Sequence, residues 1–268
     1  MMAEQISDNE FSLLRIVPTV TRARDFRLYA GGGRLADLWQ NGGAAVLGHT
    51  PPSLLREIKN TASRGLYAPF PHFLEDRYRK ALSCIFPGRN FRLYAAAPPE
   101  LRDLVAAGRA ALWRPFLNSS APLSVPENSP PVLIPVVPGI QSWRGGLPLG
   151  LCVAVISNDA LPPGDFLPPV LLAAAARGIY DLIAAAPERA TPRFPRIARA
   201  LTGQQCQWQR QGLYLSLRQG VSEDEWEALF RRFLDNGFLL PPVSSQPVIL
   251  PGTLSPGEEA KLVKLLCD

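Results

Sequence analysis

Lysine is the scarcest charged residue in this 268-residue chain. Of 28 basic residues only Lys59, Lys80, Lys261 and Lys264 are lysines, and none lies between Glu100 and Gly257. Chemistry that needs a primary amine in the middle of the chain, such as imine formation with an aldehyde, has no residue to perform it there. Histidine is rarer still, with only His49 and His72. The four cysteines, Cys84, Cys152, Cys206 and Cys267, are far apart and form no C-x-x-C pair, so a zinc site of ordinary spacing is not expected. Cysteines this sparse imply reduced thiols and a cytoplasmic location. No P-loop, dinucleotide fingerprint or metal motif occurs. The net charge of +5 is spread among acids, with no basic block and no aromatic platform, so nucleic acid is not an expected partner. Residues 1–10 are polar and acidic, without the basic and apolar regions of a signal peptide. The most apolar run, residues 170–186, carries Arg177 and Asp181 and reads as too short and too charged to span a membrane.

What the chain does have is a globular composition, 47% hydrophobic and 19% charged. Phe26-Arg27-Leu28-Tyr29-Ala30 alternates, Gly31-Gly32-Gly33 turns, and residues 34–39 return, which predicts a hairpin. A glycine-rich stretch follows, ending Leu47-Gly48-His49-Thr50-Pro51-Pro52, and then helices over 53–59 and 73–85. The strand Phe91-Arg92-Leu93-Tyr94 leads into Ala97-Pro98-Pro99-Glu100, a proline-capped helix start. Residues 115–169 are rich in proline, which disfavours helix interiors and central strands. Two apolar runs there still read as buried strands, 132–137 and 151–156. Helices are predicted over 169–186 and 194–201, and a strand over 213–217. Ser222 and Glu225 have capping-box spacing ahead of a helix that stops at Asn236-Gly237. Short strands at 238–240 and 248–250 precede a second capping box, Ser255 and Glu258, and a final helix.

Three stretches taken in order carry a family resemblance: the hairpin through Leu-Gly-His-x-Pro, the turn Gly145-Gly146-Leu147-Pro148-Leu149-Gly150 with its following strand, and residues 212–266. Together they resemble a class III (ornithine/glutamate-1-semialdehyde type) pyridoxal-phosphate-dependent aminotransferase. The resemblance implies an α/β fold of the PLP-dependent aminotransferase type I class, internally shortened. A reduced central sheet domain would cover residues 76–200, and a small α+β domain would be built from both flanking segments, 1–75 and 201–268. It also implies a homodimer, or a heteromer with a full-length aminotransferase. The aromatic segment 66–73 would suit such an interface, and a buried core loop would explain it nearly as well.

In that family a lysine before the glycine-rich turn holds pyridoxal phosphate as a Schiff base. Here the position is Gln141, whose amide nitrogen is not a nucleophile. The family's phosphate turn matches Ala97-Pro98-Pro99, where two prolines supply no N–H donors, and Glu100 matches the glutamate that follows it. The family's ring-pairing aspartate has no counterpart ending a strand before Gln141. These departures imply no bound cofactor, no catalytic residue and no metal, and hence a pseudoenzyme. The alternative is an enzyme that holds PLP non-covalently or uses a rebuilt pocket. Ala97, Glu100, Gln141, Trp143, Arg144 and His49 are the vestigial pocket candidates. Trp143-Arg144 offers stacking or anion binding, set against a packed tryptophan beside a surface arginine. His49 reads as a proton-transfer group or, preferably, as a turn residue bonded to backbone.

Overall fold

The computed structural model describes residues 12–124, 132–134, 142–144, 147–156, 161–189, 193–203 and 206–267. Its strands are β1 (Val20–Arg24), β2 (Arg27–Ala30), β3 (Gly33–Asp37), β4 (Asn90–Ala96), β5 (Ala111–Leu112), β6 (Val132–Ile134), β7 (Ser142–Arg144), β8 (Leu147–Ile156), β9 (Trp208–Gln211), β10 (Tyr214–Leu217), β11 (Phe238–Leu239) and β12 (Val248–Ile249). Its α-helices are α1 (Pro52–Ala62), α2 (Leu74–Ser83), α3 (Pro99–Ala106), α4 (Pro169–Arg189), α5 (Pro195–Leu201), α6 (Glu223–Asp235) and α7 (Pro256–Cys267).

The central sheet has the order β4-β8-β6-β5, with β7 also paired to β8. Strand β8 runs antiparallel to β4, β6 and β7, while β5 and β6 are parallel. Strands β4, β6 and β5 therefore all end at the same side. Residues 151–155 are buried on both faces, which is why this run shows no polar alternation. Leu151, Val153 and Val155 pack with Tyr78 and Leu82 of α2 and with Leu172, Ile179 and Leu182 of α4. Cys152 and Ala154 face the other way, against Tyr94 and Leu101 of α3. The resemblance placed a turn over 145–150; the structure instead has Leu147–Gly150 already in β8, hairpinned with β7.

Helix α4 corrects a second expectation. It reaches 21 residues with a hydropathy of 1.4, so length and composition alone would let it cross a membrane. Here it lies in the core, with Leu172, Ala173, Ala174, Ala176, Ile179 and Leu182 all at or near zero exposure.

The segments that flank the central sheet in sequence meet in space. Strands β1, β2 and β3 form a meander through the glycine turn, where Gly31 and Gly32 have φ of 56° and 75°. Strand β11 then adds to β3 in parallel, Phe238 opposite Ala36 and Leu239 opposite Asp37. Helix α6 presents Trp226, Phe230 and Phe233 to this core at i, i+4 and i+7, and α7 adds Leu262 and Leu266. The capping box at Ser222 is formed in full. A bidentate pair, Arg27 Nη2 to Glu258 Oε2 at 2.7 Å and Nε to Oε1 at 3.2 Å, ties β2 to α7. The three-stranded sheet β12-β10-β9 stands between this core and the central one: Leu215 belongs to the first, Tyr214 and Ile249 to the second.

Candidate functional site

In open α/β sheets ligands bind outside the carboxyl ends of the parallel strands. Here that edge is formed by the ends of β4, β5 and β6 and by the β7–β8 hairpin. Leu149 of β8 is flanked by Ala96 on one side and by Ser142 on the other. The turn after β4 and the segment that follows Gln141 are thus brought to one place.

The turn after β4 is built by prolines. Pro98 is extended (φ −66°, ψ 160°) and Pro99 occupies the first helical position of α3. Neither has an N–H. The Pro98 carbonyl takes the N–H groups of Leu101 and Arg102, both at 3.1 Å. Of the first backbone positions of α3, only Glu100 is left to offer a donor outward, and its side chain is solvent-exposed. Ala97 is buried against Leu101 and Cys152. The outer edge of β4 is closed by residues 161–168: Asp165 N–H donates to Leu93 O at 2.8 Å, and the Asp165 carboxylate accepts from Ala95 N–H at 2.9 Å. Gly164 permits that approach, since a Cβ there would sit 2.7 Å from Leu93 O.

A second element reaches the same place. Residues 40–43 all have positive φ, at 50°, 49°, 65° and 102°. Two of these, Gln40 and Asn41, are not glycine, so the backbone is held against its preference. The hold comes from Asp37, which is 1% exposed. Its Oδ1 accepts from Trp39 N–H (2.9 Å) and Gln40 N–H (2.8 Å), and its Oδ2 meets His49 Nε2 at 2.7 Å. Gln40 Nε2 donates to Ile249 O at 3.0 Å, tying the turn to β12. The 3₁₀ turn Asn41–Gly43 packs against β7. A cleft of about 70 Å³ lies between Asn41, Ala44, Gly48, His49 and Leu54.

The candidate residues divide accordingly. Among the described residues the His49 ring is not bonded to backbone, as preferred from sequence; it is fixed by a buried carboxylate, and the His49 main-chain N–H donates to Asp25 O at 2.7 Å. Ala97 is at the sheet edge, and Glu100 points to solvent one turn further on. Trp143 and Arg144 are placed only by register, opposite Pro148 and Leu147. Gln141 lies outside the described residues. Sequence reasoning passed over Asp37, Gln40 and Asp165. The one available signal was the run Asp37-Leu38-Trp39-Gln40-Asn41-Gly42-Gly43, in which an acid can accept the N–H groups two and three residues on, where a turn into left-handed positions begins.

No family model matches the chain. An uncharacterized protein of Treponema pallidum is 29% identical over 290 residues, covering 89% of this chain and 91% of the relative. Among solved structures, an omega-transaminase from Sphaerobacter thermophilus superposes with a TM-score of 0.63 at 11% identity, over 98% of this chain and 96% of the other. The ornithine delta-aminotransferase of Plasmodium falciparum gives 0.63 at 11% identity, over 94% and 92%. The chain has the fold of the pyridoxal-phosphate-dependent aminotransferases. At such identities the likeness is one of architecture, and the residues at the sheet edge carry any statement about chemistry.

Proposed function

We propose that this aminotransferase-fold protein does not transaminate and works as a binding or regulatory homodimer. The reading rests on one observation above all: the four lysines are on exposed positions of α1, α2 and α7, and none is at the edge where Ala97, Ser142 and the 40–43 turn converge. The residues present do not fit covalently held pyridoxal phosphate. No primary amine is there to capture its aldehyde. The helix start that would face the phosphate has two prolines and two committed N–H groups. Asp103, a remaining acid between Glu100 and Gln141, is exposed on α3. The buried acid that does approach the edge, Asp37, already has its oxygens engaged by two N–H groups and His49.

The dimer reading is supported by an exposed aromatic strip. Tyr67, Phe70 and Phe73 are 62%, 57% and 62% exposed, which sets aside the alternative of a buried core loop. Phe166 is equally exposed, and Leu66 O accepts from Val170 N–H, so the two segments adjoin. Solvated aromatics gathered in this way mark an association surface.

The test is spectroscopic. After incubation with pyridoxal phosphate and borohydride reduction, intact-mass analysis is expected to show no adduct at the sheet edge, and the absorbance spectrum no imine band. A reducible adduct there, or interconversion of amino and keto acids by the purified protein, overturns the reading.

A further inference from the structure

A cavity lies at the end of β12, away from the sheet edge. Strand β12 pairs only with Tyr214 and Leu215 of β10, through Ile249 and Val248. Beyond that point Ser216 and Leu217 pair with β9 but not with β12, and residues 244–247 line the gap on that side. The gap is a cleft of about 140 Å³, open to solvent, lined by Arg114, Ser216, Ser244, Ser245 and Gln246 and floored by Trp208 and Trp226.

Every polar side chain on that lining has a donor to give. The Ser216 hydroxyl oxygen accepts from Gln209 Nε2 at 3.2 Å, which leaves its O–H to donate elsewhere. Gln246 Oε1 accepts from Trp39 Nε1 at 2.7 Å, which leaves the Gln246 amide NH₂. Ser244 and Ser245 add two hydroxyls. Among the described residues no carboxylate lines the cavity.

Arg114 is the anomaly. Its neighbours in sequence are fixed structural parts: Trp113 and Phe116 are buried in the central core, and Pro115 O accepts the Tyr214 hydroxyl at 2.8 Å. The guanidinium lies 5.6 Å from the Tyr214 ring centroid, a cation–π contact that does not neutralise it. Among the described residues neither an ion pair nor a hydrogen bond to Arg114 is present. Burial lowers its pKa and Tyr214 opposes the change only in part. Arg189, also half-buried and without a carboxylate partner among the described residues, at least donates to Val46 O and Leu250 O. A half-buried guanidinium with no acceptor among the described residues is better kept when a ligand supplies the counter-charge.

The geometry points to a binding site for a small oxyanion, a carboxylate or a phosphate, held by the Arg114 guanidinium with Ser216, Ser244, Ser245 and Gln246 completing the donor shell. The planar fork of arginine suits either group through paired bonds. This site shares no lining residue with the sheet edge, so it stands whether or not the edge retains cofactor chemistry.

The full chain is titrated by calorimetry with inorganic phosphate in one arm and succinate in the other, alongside Arg114→Met and Ser216→Ala. Saturable binding of either anion is expected, weakened at least about tenfold by Arg114→Met, as loss of a charged hydrogen-bond partner implies. The arm that binds more tightly identifies phosphate or carboxylate as the natural group. In anion-free buffer Arg114→Met is expected to melt no lower than the parent, because the methionine relieves an uncompensated charge. Failure of both anions to bind, equal binding by Arg114→Met, or a marked drop in the melting temperature of that variant without anion overturns the proposal.

Discussion

Replacing Glu258 by glutamine would measure how firmly β2 is fastened to α7. The Glu258 carboxylate receives the Arg27 guanidinium as two parallel bonds and also accepts the Ser255 N–H at 2.7 Å, and Arg34 stands 3.5 Å away. The side chains of Arg27 and Glu258 are only 16% and 17% exposed, so solvent screens the pair weakly. Burial works to raise the Glu258 pKa, but the bonds from Arg27 and Ser255 outweigh it and bring the value from 4.5 to about 2. A shift of this size corresponds to about 3 kcal/mol. The folded state binds fewer protons than the unfolded one, so the contribution is complete above pH 4.5 and is lost as pH falls through about 2. Glu258→Gln is expected to lose about 3 kcal/mol in urea unfolding at pH 7 and less than half of that at pH 3. The double variant Arg27→Met, Glu258→Gln should lose clearly less than the sum of the single changes. A deficit below about 1 kcal/mol at pH 7, or one that is the same at both pH values, would refute the argument.

Three further expectations can be checked with the same material. Gly212 has φ +58°, and a Cβ there would lie 1.9 Å from Phe116 O; Gly212→Ala is therefore expected to destabilise by roughly 2 kcal/mol or more in urea unfolding, through both the left-handed backbone and the clash. Asp37→Ala leaves the buried Gln40 N–H and the partly buried Trp39 N–H without an acceptor and His49 without its partner; a loss of roughly 2–4 kcal/mol is expected, with faster proteolysis within residues 38–48. Phe70→Glu together with Phe73→Glu should shift sedimentation from dimer to monomer without altering the far-ultraviolet spectrum. An unchanged sedimentation coefficient would exclude the aromatic strip as the association surface.

The elements easiest to read from sequence were those whose signals are local. Ser222 with Glu225 and Ser255 with Glu258 are complete within one helical turn, and both form the bonds their spacing predicts. Strands β1 and β9 gave no such signal. Val20–Arg24 is largely exposed and charged, and Trp208–Gln211 buries only its tryptophan fully, as suits strands at sheet edges. The fold class came through the order of several weak motifs. The site was less legible because its decisive contacts are distant in sequence or depend on burial. Ala96 and Ser142 meet only through Leu149, Gln40 is anchored by Ile249, and the isolation of Arg114 is visible only once its surroundings are known.

Pairing β3 with β11 sets a condition on how the chain can fold as it is made. Ala36 waits for Phe238, and Arg27 for Glu258, 231 residues later. At ordinary ribosomal speeds the first hairpin spends roughly 10–40 s with an unpaired edge and an uncovered apolar face. Contacts this remote also slow the search for the native topology. A nascent chain stalled before residue 238 should therefore be a chaperone client, and adding residues 238–268 should release it.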